Sequence, residues 1–184
     1  LNLFQNFTYF LVDPVNGDQV EQEGRRWVTG AKVTHRRMGN WLGRHIESAV
    51  GVNVRNDAVG TVGLYATRGR QFLDAIRRDT VGQTTLGLFG QSEVEWSSVF
   101  RTTLGLRGDV YRYNVNALRP LNTGTGVTGL VSPKVTAVLG PWKATEVYLN
   151  YGHGYHSNDA RAATTVVDPI SGELVKSANP LVPA

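Results

Sequence analysis

The stretch that decides the fold is Gln83–Tyr113, which reads QTTLGLFGQSEVEWSSVFRTTLGLRGDVYRY. One set of its alternate positions is mostly apolar or small, namely Phe100, Thr102, Leu104, Leu106, Gly108 and Val110. The intervening set is mostly polar, namely Arg101, Thr103, Gly105, Arg107, Asp109 and Tyr111. Because successive side chains of a β-strand point to opposite faces, this alternation predicts a strand with one apolar and one polar face.

The same alternation recurs on both sides of this stretch, whereas helical periodicity is nearly absent. The chain is therefore predicted to be all-β, an antiparallel meander of about seven long strands. The predicted strands are 2–12, 24–38, 44–56, 83–96, 99–116, 130–140 and 144–157. Many of them exceed the common strand length of about 5–6 residues, and strands that span a membrane need about 9–11.

The predicted connections alternate between short and long. The short ones are Gly39–Gly43, Ser97–Ser98 and Pro141–Lys143, and the long ones are Asp13–Glu23, Asp57–Gly82, Ala117–Gly129 and Asn158–Ala184. Short turns at one end and long loops at the other are typical of an outer-membrane barrel. Within the longest internal loop, the spacing of Phe72, Leu73 and Ile76 is also compatible with a short helix.

Three of the four tryptophans, Trp41, Trp96 and Trp142, lie in or beside the three short turns. Indole is amphipathic and prefers the headgroup level of a membrane, so these residues are predicted to form an aromatic girdle at the membrane interface. The alternative is that they cover the turns as ordinary core residues.

Composition excludes several classes of protein. The 184 residues contain no cysteine, which excludes a disulfide-stapled module and a cysteine-ligated metal site. No stretch of about 18 apolar residues exists, so no transmembrane helix is expected. The net charge of +4 is weak evidence for anionic partners. The chain begins with Leu1 instead of methionine, which leads us to expect a portion of a longer protein.

Gln83–Tyr113 resembles the barrel of a TonB-dependent outer-membrane receptor, in which an aromatic-plus-Glu strand turns after a Trp into a strand ending G-L-R-x-D-x-Y. Ser132–Arg161, with Ser-Pro-Lys and then Leu-Asn-Tyr-Gly-His-Gly-Tyr, extends the resemblance, and Val54–Asp79 carries it more weakly. The resemblance implies an outer-membrane location among lipid and lipopolysaccharide, and import of a scarce ligand such as a ferric siderophore. It further implies a barrel of about 22 strands around a plug domain, with energy passed on by TonB.

Residues 1–184 are accordingly expected to form an internal portion of such a barrel, with the plug domain and the remaining strands outside it. A luminal charge ladder is expected on the polar face, formed by Glu93, Glu95, Arg101, Arg107 and Asp109. Glu93 and Glu95 should lie across from Arg101 and Thr103 on the next strand, where opposite charges stabilise a sheet. These carboxylates are interpreted as scaffolding, and no enzymatic activity is expected.

Ligand contacts are predicted only by position in the loops, at Tyr65, Arg70, Arg119, His156 and Asp159. A basic run in the longest internal loop comprises Arg68, Arg70, Arg77 and Arg78, which could contact lipopolysaccharide phosphates or an anionic ligand, since Arg suits phosphate. The alternative is a solvated loop with no partner.

Other motifs are set aside. Gly124–Gly129 matches G-x-G-x-x-G but lacks the strand and helix that a nucleotide site needs, and no nucleic-acid partner is expected. His153 and His156 would point to opposite faces of a strand, so neither a metal site nor a cofactor is expected. Two other functions stay open: a soluble β-sandwich that binds carbohydrate, and a smaller porin-like barrel.

Overall fold

The computed structural model describes residues 1–5 and 9–183 and shows one large antiparallel sheet. Its seven strands pair in chain order, which confirms the predicted all-β meander. They are β1 (Asn2–Phe4), β2 (Val20–Trp41), β3 (Arg44–Arg68), β4 (Gln71–Ser97), β5 (Phe100–Asn116), β6 (Gly124–Trp142) and β7 (Thr145–Gly152). Neither helix of the described ranges is long and apolar enough to cross a membrane.

The chain after β7 forms a smaller unit, which we call the covering segment, residues 155–181. It contains β8 (Tyr155–Ser157), α1 (Ala160–Thr164) and the start of β9 (Leu181–Pro183), and β8 pairs with β9. A 3-10 turn at Pro120–Asn122 lies between β5 and β6.

The largest error of the sequence analysis concerns the predicted loop Asp57–Gly82. Instead of a loop with a short helix, β3 continues to Arg68 and β4 begins at Gln71. The two strands are joined by Gly69 and Arg70, with φ angles of 56° and 65°. Two successive left-handed residues are the geometry of a tight hairpin turn. The alternation is lost here because β-bulges shift the register after Val59, and each bulge exchanges the two faces.

Three smaller predictions also change. The first predicted strand, 2–12, ends at Phe4 in the described residues, and residues 6–8 within it lie outside them. The G-x-G-x-x-G motif, 124–129, is the beginning of β6 and is followed by no helix. The last predicted strand, 144–157, ends at Gly152, after which the chain leaves the sheet.

The apolar face of the sheet is continuous across neighbouring strands. In one row, Val52 lies opposite Leu88, Leu88 opposite Gly108, and Gly108 opposite Val131. Leu88, Leu106 and Val131 are 60%, 57% and 59% exposed. The described residues therefore leave this face without a second layer of protein, unlike a β-sandwich, where a facing sheet would cover it.

Hydroxyl and indole groups on the apolar face are paired with one another. Ser48 and Ser92 face each other on β3 and β4, with their Oγ atoms 2.8 Å apart. The indole Nε1 of Trp96 donates to Thr102 Oγ1 at 2.7 Å. Such pairing satisfies the hydrogen-bonding capacity of polar groups that lie among apolar side chains.

The small hydrophobic core lies on the polar face, at the end of the sheet away from the tryptophan turns. Ala160 of α1 is fully buried against Val81 of β4 and Val115 of β5. Asn122 fixes the covering segment at this end. Its Oδ1 accepts from the backbone N–H groups of Val166 and Val167, each at 3.0 Å, and its Nδ2 donates to the Val167 carbonyl at 2.8 Å.

Candidate functional site

Three Arg-x-Asp pairs dominate the polar face, one on each of β3, β4 and β5. They are Arg55 with Asp57, Arg77 with Asp79, and Arg107 with Asp109. Residues two apart in a strand share a face, so each guanidinium can reach along its own strand to the carboxylate. The three aspartates are 5%, 2% and 2% exposed, which makes them among the most buried polar groups of the chain.

Arg26 of β2 adds a second arginine to Asp57, with its Nη2 2.6 Å from Asp57 Oδ1. The Arg107–Asp109 pair is bidentate, with two donor–acceptor distances of 2.6 Å. Buried carboxylates are stable only when they are paired and hydrogen-bonded, and these are. The arrangement therefore holds each of the three carboxylates in place with at least one guanidinium.

One residue of the predicted charge ladder, Arg101, binds a carboxylate that the sequence did not indicate. Glu95 lies opposite Arg101 and Glu93 opposite Thr103, in the expected register. The guanidinium of Arg101, however, binds Glu146 of β7 at 3.1 Å and lies 4.0 Å from Glu93. Thr103 Oγ1 donates to Glu93 at 3.1 Å.

A shallow pocket of about 590 Å³ lies on the polar face halfway along the strands, lined by residues that include Lys32, Phe89, Arg107 and Lys134. The ring of Phe89 occupies the space above Gly51, where an added Cβ would lie 2.5 Å from it. The ammonium of Lys32 lies 5.3 Å from the centre of the same ring, a cation–π contact. The missing side chain at residue 51 is what lets a β4 ring reach toward β2.

Within the covering segment, Asp159 caps the N-terminus of α1 and accepts from the backbone N–H of Arg161 at 2.9 Å. Burial opposes the charged form of Asp159, but the hydrogen bonds from the guanidinium and backbone N–H of Arg161, together with the charges of Arg161 and Arg77, lower the pKa of this carboxyl. Tyr111 of β5 is 4% exposed, and its hydroxyl finds no hydrogen-bond partner among the described residues.

The five predicted ligand residues fall into two groups. Tyr65 and Arg70 lie at the β3–β4 tip, where Tyr65 donates to Glu23 at 3.1 Å and the Arg70 guanidinium lies 5.5 Å from the Phe4 ring. Arg119, His156 and Asp159 belong to the other group, at the covering segment. There the Arg119 guanidinium donates to the Pro169 carbonyl at 2.9 Å, and His156 lies on β8.

The predicted basic run is not a loop. Arg77 and Arg78 alternate on β4, so that Arg77 lies on the polar face against Asp79 and Arg78 lies on the opposite face. Arg68 ends β3 and lies 3.4 Å from Asn16 Oδ1.

No group of three or more His, Asp or Glu side chains within the described ranges could hold a metal ion. His153 instead has its Nε2 2.9 Å from the hydroxyl of Tyr151.

A family model described as "TonB dependent receptor-like, beta-barrel" matches residues 2–180. The chain belongs to this family. It is a family of transporters and receptors of the outer membrane, not of enzymes, and its members work with TonB and a plug domain. A comparison with curated proteins returned no match.

In this receptor barrel the three predicted girdle tryptophans lie at one end of the sheet. Trp41 ends β2, Trp142 ends β6, and Trp96 is the next-to-last residue of β4. The rings of Trp41 and Trp96 meet edge to face, 6.4 Å apart. Trp27, which the sequence analysis left unassigned, is 73% exposed on the apolar face toward the opposite end of β2.

Asp57, Asp79 and Tyr111 are the barrel residues that sequence reasoning missed. A signal for the two aspartates was present in the repeated spacing Arg-x-Asp at 55–57, 77–79 and 107–109. It was not recognised because residues 57 and 79 were assigned to a loop. No sequence signal marks Tyr111.

Proposed function

We propose that this chain is a portion of the wall of a closed outer-membrane barrel that imports a scarce ligand with energy passed on by TonB. The observation that carries the proposal is a sheet with one bare apolar face and one charged face, in a chain of the TonB-dependent receptor family. A barrel in lipid needs this division, because its outside contacts hydrocarbon and its lumen contacts water or polar protein.

The height of the apolar face supports a membrane location. On β4 it extends from Leu86 to Trp96, and on β5 from Phe100 to Val110, each 11 residues. With a rise of about 3.3 Å per residue and a tilt of about 40°, such a segment covers about 25 Å of height. That is the height of the apolar band of outer-membrane barrels.

The far halves of β3 and β4 continue beyond this band and would stand above the membrane. The open edges of the sheet, at β7 and along the part of β2 that β1 does not pair, would pair with further strands of the same barrel, since unpaired backbone groups are not tolerated in lipid. The Arg–carboxylate scaffold then lines the lumen, where a plug domain would contact it. Trp41, Trp96 and Trp142 form the girdle at the short-turn interface.

The ligand would be captured above the membrane by the β3–β4 tip and the covering segment. Arg68 and Arg70 form no salt bridge with a described carboxylate, and they would attract an anionic ligand such as a ferric siderophore. Tyr65, Arg119, His156 and Asp159 are the further candidate contacts.

The test uses the full-length receptor that carries this chain, in cells with and without TonB. Ferric-siderophore uptake under iron limitation should require both the receptor and TonB. The double variant Arg68→Gln/Arg70→Gln should weaken uptake at low ligand concentration, while Arg36→Gln, a matched change on the polar face, should not. Uptake that proceeds equally without TonB would overturn the proposal and favour the porin-like alternative.

A further inference from the structure

The pocket of about 590 Å³ on the polar face lies at the middle height of the apolar band. Gly105, which lines the pocket, is the middle residue of the β5 segment 100–110 that spans the band. The pocket therefore lies below the β3–β4 tip, to which we assign ligand capture. A ligand that moves down the lumen would pass this part of the wall.

The floor of the pocket is bare backbone. Gly105 and Gly152 lie opposite Lys134, one on each neighbouring strand. A Cβ added at either glycine would meet no atom closer than 3.4 Å, so both spaces are open. The space above Gly51, by contrast, is filled by the ring of Phe89. A flat group can therefore approach the floor closely, with the Phe89 ring as a wall beside it.

Two lysines give the pocket an excess of positive charge. Lys32 and Lys134 line it, and neither forms a salt bridge with a described carboxylate. Six arginines of the polar face, in contrast, each bind one: Arg26, Arg36, Arg55, Arg77, Arg101 and Arg107. No Asp or Glu of residues 1–5 and 9–183 lines the pocket. An anion would supply the missing charge.

Uncharged donors at the pocket also lack partners. Asn150 Oδ1 accepts from Thr136 Oγ1 at 2.8 Å, whereas Asn150 Nδ2 forms no hydrogen bond with a described residue. Ser132 lines the pocket too, and its buried Oγ has no hydrogen-bond partner in the part of the chain that the structure describes. Unmatched donors beside unmatched cations favour a ligand that accepts hydrogen bonds, and a carboxylate accepts the strongest ones.

We propose that this pocket is a transit site in the wall of the lumen, and that it takes an organic anion with a flat apolar part, such as an aromatic carboxylate. The inference rests on the proposed function, because it needs the polar face to line the lumen of an importer. The carboxylate would bind Lys32 and Lys134, and the flat part would lie over Gly105 and against Phe89. Small-molecule sites have volumes of about 300–1,000 Å³, which include this one.

The experiment measures binding to the purified full-length receptor by isothermal titration calorimetry, with receptor-free micelles as the blank. The probe is naphthoate, an aromatic carboxylate, and naphthamide has nearly the same shape without the charge. One variant, Lys32→Gln/Lys134→Gln, removes both unpaired cations. A second variant, Gly105→Val, fills the floor of the pocket with a side chain that strands favour.

Each variant has a matched control. Arg36→Gln/Lys143→Gln removes two positive charges outside the pocket, and Gly108→Val adds the same side chain to β5 in open space on the apolar face. The wild-type receptor and both controls should bind naphthoate at least about tenfold more tightly than naphthamide, and both variants should lose about tenfold in affinity for naphthoate. Equal binding of the two probes, or an unchanged affinity in either variant, would overturn the proposal.

Transport separates a transit site from two other roles. In the ferric-siderophore uptake assay, both variants should import more slowly than wild type while binding the siderophore at the cell surface as tightly. Weaker surface binding would show that the pocket is part of the capture site instead. Increased entry of a large hydrophilic antibiotic would show that the pocket anchors the plug domain.

A heat-modifiable shift in electrophoresis reports barrel folding separately, and Lys134→Gln alone gives the same reading if the double variant does not fold. Uptake that proceeds without TonB would count against the proposed function itself. Uptake that requires TonB, together with equal binding of naphthoate and naphthamide, would count against the transit site alone.

Discussion

The two faces of this sheet are made by alternate residues of the same strands, yet they are stabilised in different ways. On the polar face, buried aspartates and their arginines form hydrogen-bonded pairs, as at Asp109 and Arg107. On the apolar face, Leu88 and Leu106 are more than half exposed, and no layer formed by residues 1–5 or 9–183 covers them. The arginines of the polar face find carboxylates within the described residues, whereas the side chains of the apolar face have no covering layer there. Four substitutions test this difference.

The largest effect is expected for Leu106→Arg, which places a charge inside the apolar band. It should cost about 2–4 kcal/mol of barrel stability in lipid, because the guanidinium loses its water. Surface levels of the full-length receptor in intact cells measure it. Gln91→Arg is the matched control, since it adds the same side chain to the polar face one strand away and should leave those levels nearly unchanged. If Gln91→Arg lowered the surface levels more than Leu106→Arg, our assignment of the apolar and polar faces would be reversed.

The second-largest effect is expected from removing a charge on the polar face. Asp109→Asn leaves Arg107 without its counterion and should cost about 2–3 kcal/mol, less than a fully buried pair because the Arg107 side chain is 35% exposed. Denaturant unfolding of the receptor in vesicles measures it. For comparison, Glu47→Gln breaks a pair whose arginine is 71% exposed, and it should cost under about 1 kcal/mol. Equal losses would show that burial does not strengthen these pairs.

Asn122→Ala tests how the covering segment is held to the polar face. The change removes three hydrogen bonds to Val166 and Val167 and leaves buried backbone groups unpaired, at about 1–3 kcal/mol of local stability. Hydrogen exchange across residues 158–181 should accelerate while the strands stay protected. Leu121→Ala, at a neighbour that is 71% exposed, should leave exchange unchanged. Unaltered exchange in Asn122→Ala would mean that other contacts hold the segment.

The smallest effect concerns the paired hydroxyls of the apolar face. Ser48→Ala should cost about 1 kcal/mol, because it leaves the Ser92 hydroxyl without a partner in lipid. The double variant Ser48→Ala/Ser92→Ala should recover most of that loss in the same unfolding assay, since both polar groups are then gone. If the double variant lost as much stability as the two single variants added together, the hydrogen bond between the two hydroxyls would not contribute to stability.

Sequence reasoning succeeded where the period of two was unbroken. The predicted strand 99–116 differs from the observed β5, Phe100–Asn116, by one residue. It failed at 57–82, where bulges interrupt the alternation and polar residues occupy both faces of β3 and β4. It also missed a second partner of Arg101 besides Glu93, because Glu146 is 45 residues away and reaches Arg101 from β7.

By itself, the sequence determined that the chain forms a two-faced antiparallel sheet and which residues lie on its apolar face. Side-chain direction in a strand is a local property, fixed by the backbone of each residue. Only the tertiary structure decided how far β3 and β4 extend, which carboxylate each arginine binds, and how α1 covers Val81 and Val115. Those features depend on strand register and on contacts between residues distant in the chain, which no local pattern encodes.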